Sequence, residues 1–437
     1  MFGAALIAWF VVGVLALAAG PPLGHDEAAY AVAARGDAPA WVYRSTGMVA
    51  VARVGLALGG GDVALRVVAL VLGASVIAGA FALGRAAFDA QTGAWAAAVL
   101  AGAHPLAIRS AELIGDLPAT GLLLGGVAIL LGELERERVR WRVVAAAPLF
   151  AGAFYVRYGS APVIAMIAVL AVMFYARRLA CLPIVGLALV AALLVVPHVV
   201  HSIDATGSPL GILSASASMP RRAYVGEGLV TYLTANPFRF YGALVAPLMV
   251  AGLASLVRVR RRAAWFVVAL ALGQFVSLGI QSHAQPRYVF FATALLVIAG
   301  VALVRPYLGR IAAAACALAW LGVAIAIVPY QHWLRDQRAP LYAAAEAIRT
   351  DAHAQPCTIA ANVAPQLIWT THCEVVIAKT APKLPAPWPE GTLRYVASVP
   401  HAQVPQALLA ELARLATAVP VELAVTDPAA RAWRLDR

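Results

Sequence analysis

Acidic side chains are scarce in this chain, 21 Asp and Glu among 437 residues. Two of them, Asp26 and Glu27, stand side by side in Gly24-His25-Asp26-Glu27-Ala28-Ala29-Tyr30, just beyond a first apolar run. Ionisable groups at a membrane boundary are costly unless they are paired or used. An ionised carboxylate there can act as a general base towards a hydroxyl or an amine. Helical phasing puts Tyr30 on the same face as Asp26, and His25 adds a second titratable neighbour. The structural alternative is equally open: Asp26 as the N-cap of a short interfacial helix, with Glu27 in its first turn. A second acidic site is His104-Pro105, Arg109-Ser110, Glu112 and Asp116-Leu117-Pro118. Here too an ion pair to Arg109 and an N-cap at Asp116 are the structural alternatives to chemistry.

The third cluster is cationic: Arg157-Tyr158-Gly159, Arg221-Arg222 and Gln285-Pro286-Arg287-Tyr288. A guanidinium is a planar fork that suits phosphate oxygens, whereas an arginine that merely snorkels or meets lipid headgroups would serve no chemistry. Carboxylates and arginines at one level of a membrane suit group transfer from a lipid phosphate. The carboxylate takes the acceptor proton, and the arginines hold the phosphate as it departs.

Long apolar elements must position these residues. The composition is 62% hydrophobic and 12% charged, far from the ~25% charged residues of a soluble domain. Apolar runs over about 2–20, 63–83, 93–108, 117–132, 143–156, 160–176, 180–199, 240–257, 263–282, 288–304 and 311–329 give eleven expected spans. Arg85, Arg136, Arg138, Arg140, Arg142, Arg177, Arg178, Arg258, Arg260, Arg261, Arg262, Arg305 and Arg310 crowd the short loops on one side. The positive-inside rule makes that side cytoplasmic and puts the N-terminus there. Loops 21–62 and 200–239, both acidic sites and the three arginine sites then face outward, with everything beyond Tyr330. The net charge of +12 is dispersed among spans, which argues against nucleic acid as a partner. Ala16-Leu17-Ala18 resembles a signal-peptide cleavage site, but no basic residue precedes the apolar run, so the first span is read as a membrane helix.

After residue 329 the composition turns polar, and the two lysines, Lys379 and Lys383, appear. We expect residues 1–329 to form the membrane domain and 330–437 a small extracytoplasmic α/β domain. Helical spacing runs over Leu341–Thr350 and Gln403–Thr417. Strands are expected from Cys357, from Cys373, over Tyr395–Val399 and over Val421–Val425. Cys357 and Cys373 could pair in an oxidising compartment, whereas Cys181 and Cys316 lie within expected spans as small apolar fillers.

The order of these motifs resembles the GT-C superfamily of polyprenyl-phosphate-sugar glycosyltransferases, in particular the bacterial branch related to protein O-mannosyltransferases and the lipid A aminoarabinose transferase. The resemblance covers roughly residues 1–310. It is carried by Asp26-Glu27-Ala-Ala-Tyr30, Asp62-Val-Ala-Leu-Arg66, the Asp116-Leu-Pro turn and Arg287-Tyr288. It implies a mainly α, GT-C-like membrane fold in a bacterial inner membrane, surrounded by membrane lipids. It also implies inverting transfer of a sugar from a polyprenyl-phosphate carrier to an extracytoplasmic lipid, glycan or protein acceptor. Asp26 would be the base, with Glu27 and Asp116 positioning base or acceptor. Arg287 and Arg157 would bind the donor phosphate beside Tyr288. Arg44-Ser45-Thr46-Gly47 lacks the two prolines that follow a basic residue in relatives, although Arg44 can still supply the charge. His25, Tyr30, Glu112 and Arg109 would be accessory or acceptor-side residues.

No metal and no cofactor are expected, since arginines already neutralise the phosphate. The competing function is a transporter or flippase for a lipid-linked saccharide, which would use the same arginines during passage but usually shows two related halves. No such internal repeat is evident.

Overall fold

The computed structural model describes all residues except 39–43, 218–222, 260, 378–391, 400–402, 406–407, 409, 411–413, 415–417, 422–429 and 436–437. Arg221, Arg222, Lys379, Lys383, Arg260, most of the helix expected over Gln403–Thr417 and the strand expected from Val421 lie outside the described residues. The protein is a mostly helical membrane protein with a small sheet. Among the described residues seven helical stretches are long and apolar enough to cross a membrane: Asp62–Ala87, Asp116–Leu134, Tyr158–Leu179, Leu182–Thr206, Arg262–Gln281, Pro286–Tyr307 and Arg310–Ala352. Shorter apolar helices cover Phe2–Ala18, Thr46–Ala57, Trp141–Val156 and Val245–Arg258.

Contacts divide the chain into two compact units. The first comprises Met1–Ala18, Trp41–Val51 and Arg66–Val328. In it α1 (Phe2–Ala18), the latter part of α4 (Asp62–Gly73), α5 (Ser75–Ala87) and α6 (Ala90–Ala101) precede the short α7 (His104–Ala107). Next come α8 (Asp116–Leu134), α9 (Ala146–Val156), α10 (Ala161–Leu179) and α11 (Leu182–Thr206). The start of α3 (Thr46–Ala57) also belongs to this unit. Helices α12 (Gly211–Ala217), α13 (Glu227–Thr234) and α14 (Pro237–Phe240) lead to α15 (Val245–Arg258), α16 (Arg262–Gln281) and α17 (Phe290–Val304). From Phe290 to Val301 every residue of α17 is buried, so this helix is wrapped by others. Its uniformly apolar sequence fits that position, because a helix that is hydrophobic all round belongs in an interior or a membrane.

Three local expectations are corrected. The run over 93–108 is not one helix: α6 stops at Ala101, and Pro105 starts a separate turn as its N1/N2 residue, where its missing N–H costs nothing. The described residues of loop 200–239 hold the end of α11, to Thr206, and then α12 to α14. Within loop 21–62 there is a second helix, α3, beyond the short one expected near Asp26.

The second unit comprises Ala19–Ala40, Ala52–Leu65 and Pro329–Arg437. It holds α2 (His25–Arg35), the end of α18 (Arg310–Ala352), α19 (Pro365–Thr371) and a five-stranded sheet. The strands are β1 (Cys357–Ala361), β2 (Glu374–Ile377), β3 (Leu393–Ser398), β4 (Ala418–Pro420) and β5 (Arg431–Leu435), in the order β2-β1-β3-β5-β4. β1 pairs in parallel with both β2 and β3, while β5 runs antiparallel to β3 and β4. Every residue of β1 is buried, as a strand covered on both faces requires. Ala344, Ala345 and Ile348 of α18 pack on one face against Ile359 and Tyr395, and Val404 and Leu408 lie against Ala360 and Val396 on the other. The hydroxyl of Tyr395 donates to Asp351 (2.6 Å), which also takes Arg434 (2.9 Å). Cys357 and Cys373 form a disulfide that ties the start of β1 to the residue before β2.

Candidate functional site

In the first unit, α8 begins at Asp116 with Gly115 as its N-cap. Asp116 is therefore not the cap: it is a buried first-turn carboxylate in an ion pair with Arg157. Arg157 is the C-cap residue of α9, in extended conformation. The two helix ends meet closely because both segments lack bulk. A methyl group on Gly115 would lie 2.0 Å from the carbonyl oxygen of Val156, and one on Gly47 2.6 Å from that of Tyr155. Thr46 adds two contacts to the same place, its N–H and its hydroxyl each 3.2 Å from the Tyr158 hydroxyl. Half-buried Arg44 lies just before this anchored segment.

The guanidinium of Arg157 also lies 5.2 Å from the ring centre of Tyr288, and that of Arg287 lies 5.5 Å from the same ring. Two cations on one aromatic ring are held there by cation–π attraction. The turn over Pro286–Val289 that carries Arg287 and Tyr288 is fixed by α16: Gln274, buried on a largely apolar helix, donates to the carbonyl of Tyr288 (3.1 Å). Gln285 accepts from Arg287 Nε (2.7 Å) and meets His283 Nε2 (2.7 Å). Arg287 thus has its orientation set by the side chain two residues before it.

A hollow of about 430 Å³ opens beside this turn, lined by His104, Arg109, Arg239, Gln285, Arg287 and Phe290 among others. Arg109 is paired with Glu112 at 2.5 Å, the ion pair foreseen as the structural alternative for that motif. Burial pushes the imidazole of His104 below its ordinary pKa. Of the residues at this turn and hollow, His104 stands within the second acidic motif of the sequence without a role, whereas Arg239 and Gln274 are not singled out there. Arg239 follows Asn236, whose side chain caps the turn by accepting from Phe238 N and Arg239 N (3.1 and 3.2 Å).

The second unit carries the other acidic site. Gly24, not Asp26, is the N-cap of α2, which begins at His25. Glu27, three residues into the helix, accepts from the Gly24 N–H (2.7 Å), the half of a capping box that a glycine N-cap allows. It is only 2% exposed, and Arg338 of α18 stands 3.5 Å away. A buried carboxylate needs such partners. Arg338 also donates to the Pro22 carbonyl (2.5 Å), Arg335 to that of Ala19 (2.7 Å) and Tyr342 to that of Leu23 (2.8 Å). The approach to α2 is thereby pinned along one face of α18. Asp26 is half-buried in the first turn, where the helix dipole favours an ionised carboxylate. His25 is exposed, and Tyr30 is buried one turn after Asp26. At the other end of α2, Arg35 pairs with Asp37, lies 4.2 Å over the ring of Trp369 and donates to the carbonyls of Ile368 (3.0 Å) and Trp369 (2.9 Å). Trp369 in turn donates to Asp62 (3.0 Å), so Asp62 of the Asp62-to-Arg66 motif holds structure in place.

Asp116, Arg157, Arg287 and Tyr288 are therefore brought together, with Arg109 and Glu112 paired beside the same hollow. Among the described residues no three His, Cys, Asp or Glu side chains gather as a metal site.

The mostly helical membrane body and the small α/β region have the GT-C fold, as comparison with solved structures shows. Across 99% of its length the chain is similar to ArnT from Cupriavidus metallidurans, covering 96% of that protein, with a TM-score of 0.73 in the apo state and 0.72 with undecaprenyl phosphate bound, at 15% identity. It is similar more distantly to the oligosaccharyltransferase AglB from Archaeoglobus fulgidus in complex with an inhibitory peptide and a dolichol-phosphate. There the TM-score is 0.57 at 12% identity, over 85% of this chain and 64% of that one. Residues 45–201 match the dolichyl-phosphate-mannose-protein mannosyltransferase family profile. That stretch contains Asp62, Glu112, Asp116 and Arg157, whereas Asp26 and Arg287 lie outside it. No curated protein sequence matches significantly.

Proposed function

We propose that this protein is an inverting glycosyltransferase that moves a sugar from a polyprenyl-phosphate carrier to an extracytoplasmic acceptor in the bacterial inner membrane. The observation that carries this reading is the cation cluster at Tyr288: two guanidiniums on one ring, one of them lining a hollow with Arg109 and Arg239. Guanidiniums fixed in place before the reaction stabilise developing negative charge without reorganising. Such a cluster suits a phosphate that gains charge as its bond to a sugar breaks.

Arg287 and Arg157, with Arg44, hold the donor phosphate, and Tyr288 keeps both guanidiniums in place. Asp26 takes the proton of the acceptor hydroxyl or amine. The acceptor atom bonds to the anomeric carbon as the carbon–oxygen bond to the phosphate breaks, and the carrier leaves as polyprenyl phosphate. Glu27 and Asp116 position their neighbours, and His25, Tyr30, Glu112 and Arg109 serve the acceptor side. The N-terminus lies in the cytoplasm, residues 1–329 form the catalytic membrane domain, and 330–437 lie outside. The similarity to a protein bound to undecaprenyl phosphate supports a carrier of that class.

The test is Asp26→Asn in purified protein given undecaprenyl-phosphate-linked sugars and cell-envelope acceptors. It should abolish transfer while leaving undecaprenyl phosphate binding intact, since the change removes the base and hardly any volume. Undiminished turnover would remove Asp26 from the mechanism.

A further inference from the structure

A second and larger hollow, about 860 Å³, lies in the first unit between α5, α8 and the helical segment that leads into α9. It is distinct from the site above. Its mouth is at Glu133 and Arg136, at the opposite end of α8 from Asp116, about 26 Å away along the helix. Its inner wall is made by small side chains: Ala82 and Ala86 on α5, and Gly125, Ala128 and Gly132 on α8. The space exists because none of these fills it. Most of its surface is apolar, and in a membrane such a slot is filled by hydrocarbon, not water.

The mouth carries three arginines, Arg85, Arg136 and Arg142, against two glutamates, Glu133 and Glu135, of which Glu135 accepts from the Tyr175 hydroxyl. Arg136 is engaged by Glu133 at 3.1 Å. Among the described residues Arg85 and Arg142 form no ion pair, and both are exposed. Trp141, next to Arg142, is 63% exposed, as expected of an aromatic anchor at headgroup depth. An apolar slot open to the bilayer, with two uncommitted guanidiniums at its rim, is complementary to one kind of molecule: an acyl chain attached to a phosphate. Basic hollows between helices select anionic headgroups in this way.

We propose that this hollow is a structural binding site for one anionic glycerophospholipid, its phosphate between Arg85 and Arg142 and its acyl chain against the alanine and glycine wall. The site lies in the leaflet facing the arginine-rich loops and does not depend on the transferase reading. Full-length protein in detergent is mixed with phosphatidylglycerol or phosphatidylcholine of identical chains, and bound lipid is counted by native mass spectrometry. Wild-type protein should retain one phosphatidylglycerol with at least a tenfold preference. Arg85→Gln with Arg142→Gln should erase the preference, and Arg310→Gln, which removes an exposed arginine elsewhere, should keep it. Gly132→Leu fills the slot without altering charge and replaces a poor helix former by a good one, so it remains informative if the double variant fails to fold. It should abolish retention of both lipids. Equal retention of the two lipids by wild type, a preference surviving in the double variant, or lipid retained in Gly132→Leu would each overturn the proposal.

Discussion

Replacing Gly115 by Ala adds a single methyl group, and its consequence can be worked out from the contact it would make. The new carbon would sit 2.0 Å from the carbonyl oxygen of Val156, where 3.4 Å is ordinary contact. The first turn of α8 and the last of α9 must therefore separate by about 1.4 Å, because the obstacle is main chain and cannot rotate away. Overpacking of this kind costs about 1–3 kcal/mol of stability. The functional loss follows from what rides on the two ends: Asp116 begins one, and Arg157 caps the other. A displaced guanidinium forfeits a charge-assisted hydrogen bond worth about 1.5–3 kcal/mol, which is roughly 10- to 150-fold in affinity. We expect Gly115→Ala to bind undecaprenyl phosphate at least tenfold more weakly, by titration of intrinsic fluorescence. Gly309→Ala, where a methyl group meets nothing within 4 Å, should bind like wild type. Wild-type affinity and melting temperature in Gly115→Ala would refute the claim that close approach of these helix ends sets the position of Arg157.

Arg287→Lys should lose most undecaprenyl phosphate affinity despite keeping the charge, because an ammonium cannot reproduce the fork held by Gln285; equal affinities would show that charge alone matters. At Asp89, burial alone would raise the pKa, but the Thr92 N–H and the Arg305 guanidinium outweigh it and hold the carboxyl below its ordinary value. Its contribution is thus complete above the ordinary carboxylate pKa and is lost as pH falls through the lowered one. Acid melting curves should show Asp89→Asn with a shallower loss below about pH 4, by a small amount because the pair is partly exposed. Cys357→Ser removes a link between residues 16 apart and should cost about 3 kcal/mol, read as faster proteolysis of the sheet region. Resistance equal to wild type would mean that the α18 packing alone holds β1.

The transmembrane helices were legible because a ~20-residue apolar run has few alternatives in a bilayer. Where the reading slipped, a single residue decided the outcome. Pro105 ended a run that hydropathy averaging carried on to residue 108, and the N-cap fell to Gly24, which offers no side chain to recognise, instead of Asp26. Strand β5 was missed because Arg431-Ala-Trp-Arg-Leu ends a polar tail and gains its partners only from β3 and β4. In the site, residue types with an evident chemical cost, such as Asp116 and Arg157, were found from sequence, but their pairing was not. That pairing depends on Gly115, whose importance lies in what is absent from it. Gln274 was hidden for the opposite reason, as a polar residue in a largely apolar helix whose partner, a main-chain carbonyl, has no signature.

The anchoring of α2 has a consequence for how the protein is made. Arg35 donates to carbonyls that follow it by 333 and 334 residues. At about 5–20 residues per second, the ribosome supplies these partners roughly 20–60 seconds after α2 has emerged. For most of that interval, until residue 338 is made, Glu27 is also without Arg338, and the lasting contacts of the helix bearing Asp26 are unmade. Chains halted before residue 338 should therefore be vulnerable at α2, and quality-control proteases would meet them there first.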